Sequence, residues 1–174
     1  MLLQWSAPEY MPHSFQVSGL SGTVGHKQTG NCFDLTKQVA DGFVGMQELS
    51  KGLFLVQSEM AFKRETELYE EYPERKVFQL SFCMNGICEW DYRQKQGEHY
   101  QLSPTQCSLQ CGTFSQCVSH FGSEQPYHTL SISLEEGRFS SLTEDLEAAH
   151  LIRRDDKICT HVFSTTPEIR LVLQ

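Results

Sequence analysis

Between Phe15 and about Ser133 apolar and polar positions alternate in short runs that turn-forming residues separate. "CFDLTKQV", "GLFLVQSEMAF", "ETELYEEY", "KVFQLSFCM", "ICEWDY", "HYQL", "QCSLQC", "QCVSHF" and "YHTLSISL" each read as a strand, with Gly, Pro, Asn and Ser between them. Many short strands at such spacing predict a mainly β fold, a sandwich, jelly roll or barrel. Within "VFQLSFCM" the period of two sets Phe78, Leu80, Phe82 and Met84 on one face and Gln79, Ser81 and Cys83 on the other. Asn85-Gly86 follows, a dipeptide that tolerates the positive φ of a type I′ turn. A two-residue hairpin here sets Met84 opposite Ile87 and Cys83 opposite Cys88. Their Cα atoms would then lie about 4.5 Å apart, near the lower limit for a disulfide.

After Leu134 the period lengthens. "SLEEGRFSSLTEDLEAAHLI" places apolar residues at Leu134, Phe139, Leu142, Leu146, Ala149 and Leu151, and Thr143 with Asp145 offers a cap for a second helical piece. Gly137 weakens the first piece, so two short helices are expected. "TTPEIRLVLQ" predicts a last helix. Thr165 or Thr166 caps it, Pro167 fits the first turn, Glu168 suits the positive end, and Ile169, Val172 and Leu173 share one face. A helix this short is marginal alone and needs a surface to pack on.

The chain has 174 residues, 39% hydrophobic and 21% charged, which suits one globular domain. A formal charge of -8 repels phosphate backbones, so direct nucleic-acid binding is not expected. No apolar run approaches the roughly 20 residues that cross a bilayer. "MLLQWSAPEYMPHSF" lacks the basic start and apolar stretch of an export signal, so a cytoplasmic location is expected. Seven cysteines, an odd number, then read as reduced thiols and not as a disulfide framework.

No nucleophile elbow, P-loop, dinucleotide fingerprint or H-E-x-x-H occurs, and no catalytic residue is assigned. No C-x₂-C occurs either. Cys107, Cys111, Cys117 and His120 do not complete a metal site, because Cys117 and His120 would point to opposite faces of a strand, and no metal ligand is assigned. Glu65, Glu67, Glu70, Glu71 and Glu74 read as a solvated face or a dock for a basic partner. The aromatics carry more. Phe82, Trp90, Tyr92, Tyr100, Phe121 and Tyr127 fall in strands, where a barrel lined by aromatics with a few polar groups makes a small-molecule pocket. Arg93, His120 and His128 are the candidate polar handles.

The order of strands, the "QLSFCMNGICEWDY" stretch, the late "YHTLSISL" strand, a helical pair and "TTPEIRLVLQ" resembles the N-terminal sensor domain of AraC-type transcription regulators, in the siderophore-responsive branch typified by the pyochelin regulator. The likeness covers roughly Leu49 to Gln174. It implies a cupin-like double-stranded β-helix, a jelly-roll barrel, followed by C-terminal α-helices. Residues 1–30 then form an arm, 31–133 the sensor barrel and 134–174 a helical linker and dimerisation segment carrying Leu142, Leu146, Ile169, Val172 and Leu173. The resemblance implies a non-enzymatic domain without a cofactor, whose partners are a small-molecule effector such as a ferric siderophore, a second copy of itself in a homodimer, and DNA only through a DNA-binding domain beyond residue 174. The H-x-H of metal-dependent cupins is missing, so their chemistry does not carry over. A thiol-based metal or redox sensor using Cys83, Cys88, Cys107 and Cys111 is the alternative, and a small barrel isomerase a third.

Overall fold

The computed structural model describes residues 3–4, 14–17, 27–29, 32–34, 39–93, 97–135, 140–152 and 158–173. In chain order the elements are β1 (Leu3–Gln4), β2 (Ser14–Val17), β3 (Lys27–Thr29), β4 (Cys32–Asp34), β5 (Ala40–Ser50), β6 (Leu53–Phe62), β7 (Thr66–Asn85), β8 (Cys88–Tyr92), β9 (His99–Leu102), β10 (Gln106–Phe121), β11 (Tyr127–Glu135), α1 (Ser140–Ala148), β12 (Ile158–Ser164) and α2 (Pro167–Val172).

Two long strands organise the molecule. β7 and β10 pair antiparallel from Phe82 opposite Cys107 to Thr66 opposite Phe121. On one half of their length they lie between β11, β6, β5, β4 and β3 on one side and β12 on the other. Along the remaining half they lie between β2 and the β8-β9 pair. The result is the jelly-roll barrel, mainly β with helices at the C-terminal end. Each long strand joins two of the runs expected separately. Pro73, which has no N–H to donate, lies where the ladder slips between Glu71 opposite Gln116 and Arg75 opposite Phe114. Gly112 takes φ +136°, a conformation that strains any residue with a side chain. Both residues read locally as strand breakers, and both are absorbed as irregularities inside a continuous strand.

The Asn85-Gly86 hairpin does not form. β7 pairs with β10, β11 and β2, and β8 with β10 and β9, so Asn85 lies opposite His128 and Cys88 opposite Phe121 and Leu102. Gly86 has φ +75°, but Asn85 is not in the positive-φ region that a type I′ turn requires. The dipeptide instead carries the chain from one half of the barrel to the other. A Cβ on Gly86 would sit 2.6 Å from the Pro126 carbonyl oxygen, so glycine is needed for close approach as well as for its φ.

The helical segment also differs from expectation. Leu134 belongs to β11, Thr143 lies inside α1 and does not cap it, and residues 136–139, with Gly137 and Phe139, fall outside the described residues. "ICTHVFS" forms β12 and adds to the sheet beside β10. Its period of two was masked in the sequence by polar residues at both parities. α1 lays Leu142 and Leu146 on Phe78 and Leu109, with Leu80, Cys111 and Leu134 around them. Two half-buried leucines contribute about 2 kcal/mol in all at the usual value for apolar burial. α2 starts as expected: Thr166 accepts a hydrogen bond from Ile169 N at 3.3 Å, followed by Pro167 and Glu168.

Candidate functional site

Facing positions of neighbouring strands show what lies inside. Met46, Val56, Ser131, Ser81, Ser108 and Val162 form one continuous row across β5, β6, β11, β7, β10 and β12. Val44, Ser58, Thr129 and Cys83 form the next. Val44, Cys83 and Val162 pack into the main core with Trp90, Tyr92 and Phe121 of the opposite half, so these rows face the barrel interior. One interior wall is therefore built of hydroxyl side chains. Ser131 Oγ donates to Ser81 Oγ at 2.8 Å, and Gln79 Nε2 donates to the same oxygen at 3.0 Å. Ser108 is 0% exposed, and among the described residues its Oγ has no hydrogen-bond partner. A buried hydroxyl left in that state is a costly and specific feature.

The opposite half contributes Trp90 and Tyr92 of β8, Tyr100 of β9 and Phe121 of β10. Phe62 of β6 stacks on Phe121 at 4.5 Å, and Tyr127, on the same strand as Thr129 and Ser131, meets Phe121 edge-on at 5.0 Å. Trp90 stacks with Tyr100 at 5.6 Å, and Tyr92 meets the same ring edge-on at 5.7 Å. Burial pushes the Tyr92 and Tyr127 phenols well above their ordinary range, so both stay neutral. Burial likewise pushes the Cys83 thiol up to about 11. The buried polar groups among the described residues are Ser and Thr hydroxyls beside the Tyr92 phenol, the Trp90 indole N–H and cysteine thiols, and none is a charged side chain. Such an interior offers stacking and neutral hydrogen bonds.

The seven candidate pocket residues divide. Trp90, Tyr92 and Tyr127 lie in or against the interior core. Phe82 is buried, but it alternates with the inward Cys83 and shares the outer face of β7 with Phe78 and Leu80, the face that α1 partly covers. Arg93 is exposed, with its guanidinium 5.6 Å from the centre of the Tyr69 ring. His128 is half-buried, 3.4 Å from Gln57 Nε2. His120 lies on the outer face, where Nε2 is 2.9 Å from Asp91 Oδ2 and Nδ1 is 3.7 Å from Glu67 Oε1. His99 holds the other oxygen of Asp91 at 3.0 Å. Beside this cluster runs an open groove of about 620 Å³ lined by Glu65, Glu67, Ile87, Glu89, His120 and Phe121. Of the glutamates singled out in the sequence, Glu70, Glu71 and Glu74 have side chains outside the described residues. The interior hydroxyls escaped sequence reading, although "TLSISL" carries them at alternate positions, Thr129, Ser131 and Ser133.

With the barrel and its lining in view, family membership follows from the match of residues 41–174 to the model of the regulatory protein PchR N-terminal domain. The chain belongs to the PchR N-terminal domain family. Members of this family are regulatory domains, and that coarse role holds for this chain. No curated protein matches the chain. Among solved structures it is similar to the AraC-like transcriptional activator CuxR, at 9% identity and TM-score 0.48 over 78% of this chain and 44% of that one. Bacterial pirin YhhW from Escherichia coli, solved with nickel(II), gives 10% identity and TM-score 0.47 over 82% of this chain and 55% of that one. YhaK from Escherichia coli gives 15% and 0.45 over 83% and 52%. The chain thus spans about half the length of these structures. Among the described residues, no helix of this PchR-type domain is long and apolar enough to cross a membrane.

Proposed function

We propose that this chain is the effector-binding and dimerisation domain of an AraC-type transcription regulator, not an enzyme, and that its effector is a small molecule held inside the barrel. The observation that carries the reading is the family match over residues 41–174. The interior supports it. Its aromatic wall suits a flat ring system and its hydroxyl wall suits carbonyl or hydroxyl groups, the surface that a ferric siderophore chelate presents. With no buried charge among the described residues, iron would arrive already chelated. Trp90, Tyr92 and Tyr127 then contact the ring end of the effector, and Ser81, Ser108 and Ser131 its polar end. Phe82, Arg93, His120 and His128 lie away from that space.

Leu142 and Leu146 are occupied by their own sheet. Ile169, Leu171 and Val172 are exposed on α2, which favours α2 as the segment that a second copy covers. DNA is reached through a separate module, and the whole regulator works in the cytoplasm. The four-cysteine alternative has less support, because burial raises the thiols of both Cys83 and Cys107 and so keeps them protonated.

A thermal-shift screen with ferric chelates, free metal ions and common metabolites tests the reading. An effector at 100 times its Kd, binding only the native state, adds about 2.7 kcal/mol. That raises Tm by about 5–10 °C for a domain of this size. Stabilisation by a ferric chelate supports the assignment. No shift with any compound, or a shift with free metal alone, overturns it.

A further inference from the structure

β10 and β12 bring two cysteines face to face. Cys111 and Cys159 are directly opposite in the antiparallel ladder. Facing residues in such a ladder hold their Cα atoms about 4.5–5.5 Å apart, within the roughly 4.4–6.8 Å that a disulfide spans. Bridging them therefore needs side-chain rotation and no movement of the strands. Both residues are half-buried and both are reduced. They lie on the face opposite Thr160 and Val162, outside the barrel, where Cys111 borders the patch covered by α1.

A histidine completes the arrangement. His161 follows Cys159 by two residues, so the two side chains share a face of β12, and His161 Nε2 is 3.2 Å from Cys159 Sγ. Both groups also reach the Leu151 carbonyl just after α1: Cys159 Sγ lies 3.4 Å from it, and His161 Nε2 is in contact with it. That carbonyl can only accept, so the Cys159 thiol and the His161 Nε2–H both donate to it. His161 is thus a basic side chain on the same strand face as the Cys159 sulfur and within 3.2 Å of it, the kind of neighbour that favours a reactive thiol.

We propose that Cys159 is a hydroperoxide-reactive thiol, with His161 as its activating partner and Cys111 as its resolving thiol. The Cys159 thiolate attacks a peroxide oxygen. An S–O bond forms, the O–O bond breaks, and the departing oxygen takes a proton, which leaves a sulfenic acid on Cys159. Cys111 sulfur then attacks Cys159 sulfur. The S–S bond forms, the S–O bond breaks, and the hydroxyl leaves as water with the Cys111 proton. Two thiols lose two electrons and two protons, and hydrogen peroxide is reduced to two waters. A small thiol reverses the bridge by exchange. The bond ties β12, the strand that leads into α2, covalently to β10. This site is separate from the barrel interior and does not depend on the effector reading.

The test is peroxide treatment of the whole chain, followed by thiol counting and mass-spectrometric mapping of the linked peptides. Two of the seven thiols should disappear, with Cys111 and Cys159 in one linked peptide, and dithiothreitol should restore both. C111S should leave a sulfenic acid on Cys159 that dimedone traps. H161Q should reach the same bridge about tenfold more slowly, since less thiolate is present. A bridge between other cysteines, or no loss of thiols, overturns the proposal, and an unchanged rate in H161Q removes the role given to His161. The wild-type peptide map decides the main point even where a variant fails to fold.

Discussion

Removing the hydroxyl of Ser108 should stabilise the protein in the absence of effector. Ser108 is 0% exposed and its Oγ lacks a partner among the described residues, so it lost its water on folding without regaining a hydrogen bond. A buried unsatisfied hydroxyl costs about 1–3 kcal/mol. Ser108→Ala deletes the penalty, orphans nothing, and changes volume by one oxygen atom, so a net gain of about 1 kcal/mol is expected. For a chain in the 150–250 residue range that corresponds to a Tm rise of about 2–4 °C. Ser81→Ala provides the opposite case, because Ser81 Oγ accepts from Ser131 Oγ at 2.8 Å and from Gln79 Nε2 at 3.0 Å. Its removal leaves the buried Ser131 hydroxyl unpaired and should lower stability by about 1–3 kcal/mol. Thermal melts and urea titrations of the two variants beside the parent measure both. If Ser108→Ala falls by as much as Ser81→Ala, the Ser108 hydroxyl is satisfied in the unliganded protein, and its assignment as a waiting effector contact is refuted.

Gly86→Ala should destabilise by about 2–4 kcal/mol in urea unfolding, since it combines a left-handed backbone at φ +75° with a Cβ placed 2.6 Å from the Pro126 oxygen. Leu146→Ala should cost about 1–2 kcal/mol, because Leu146 packs on Phe78 and Leu109; Leu171→Ala, at 74% exposure, should stay within about 0.5 kcal/mol of the parent. In light scattering, Leu171→Ala and not Leu146→Ala should then weaken self-association. Burial tends to raise the Asp91 carboxyl, but hydrogen bonds from His99 and His120 outweigh it and hold the group below the ordinary carboxylate value. A depressed native pKa stabilises above the unfolded value, near 3.9, and that contribution is lost as pH falls through the native value. Asp91→Asn should therefore flatten the acid limb of a Tm against pH curve below about pH 4, and an unchanged limb would show that Asp91 contributes nothing to acid stability.

Local pattern reached the strands but not their partners. Alternation in "VFQLSFCM" divided its residues between two faces correctly, and Phe78 and Leu109 on one side, Ser81 and Cys83 on the other, confirm the division. What alternation left open was which face is inside. A half-exposed strand turns its apolar face inward, but here α1 covers the apolar face and the hydroxyl face lines the barrel, so the ordinary rule inverts. Asn85-Gly86 failed for a related reason. A tight turn and a crossing between barrel halves both need a glycine at positive φ, and only the distant choice of β10 and β11 as neighbours of β7 separates them. Trp90, Tyr92 and Tyr127 were legible as interior residues because large aromatics in strands are seldom turned to solvent. His120 and Arg93 point outward, because each follows or precedes an inward aromatic, Phe121 or Tyr92, along the chain.

β12 is the element with access to every part of the molecule that matters here. Its inward residue Val162 is level with Ser108 in the interior wall, while its outward residues Cys159 and His161 meet the Leu151 carbonyl just after α1. Its C-terminal end is clamped. Thr165 N and Thr165 Oγ1 both donate to the Thr105 carbonyl at 2.8 Å, and Thr105 has φ +73°, a conformation that a β-branched residue adopts only at a cost. The two hydrogen bonds and the burial of Thr165 at 5% exposure offset that strain. α2 begins two residues later, its apolar side uncovered. A change in the interior wall thus has a short covalent route to an exposed helix, through one edge strand and a turn already held away from its relaxed shape.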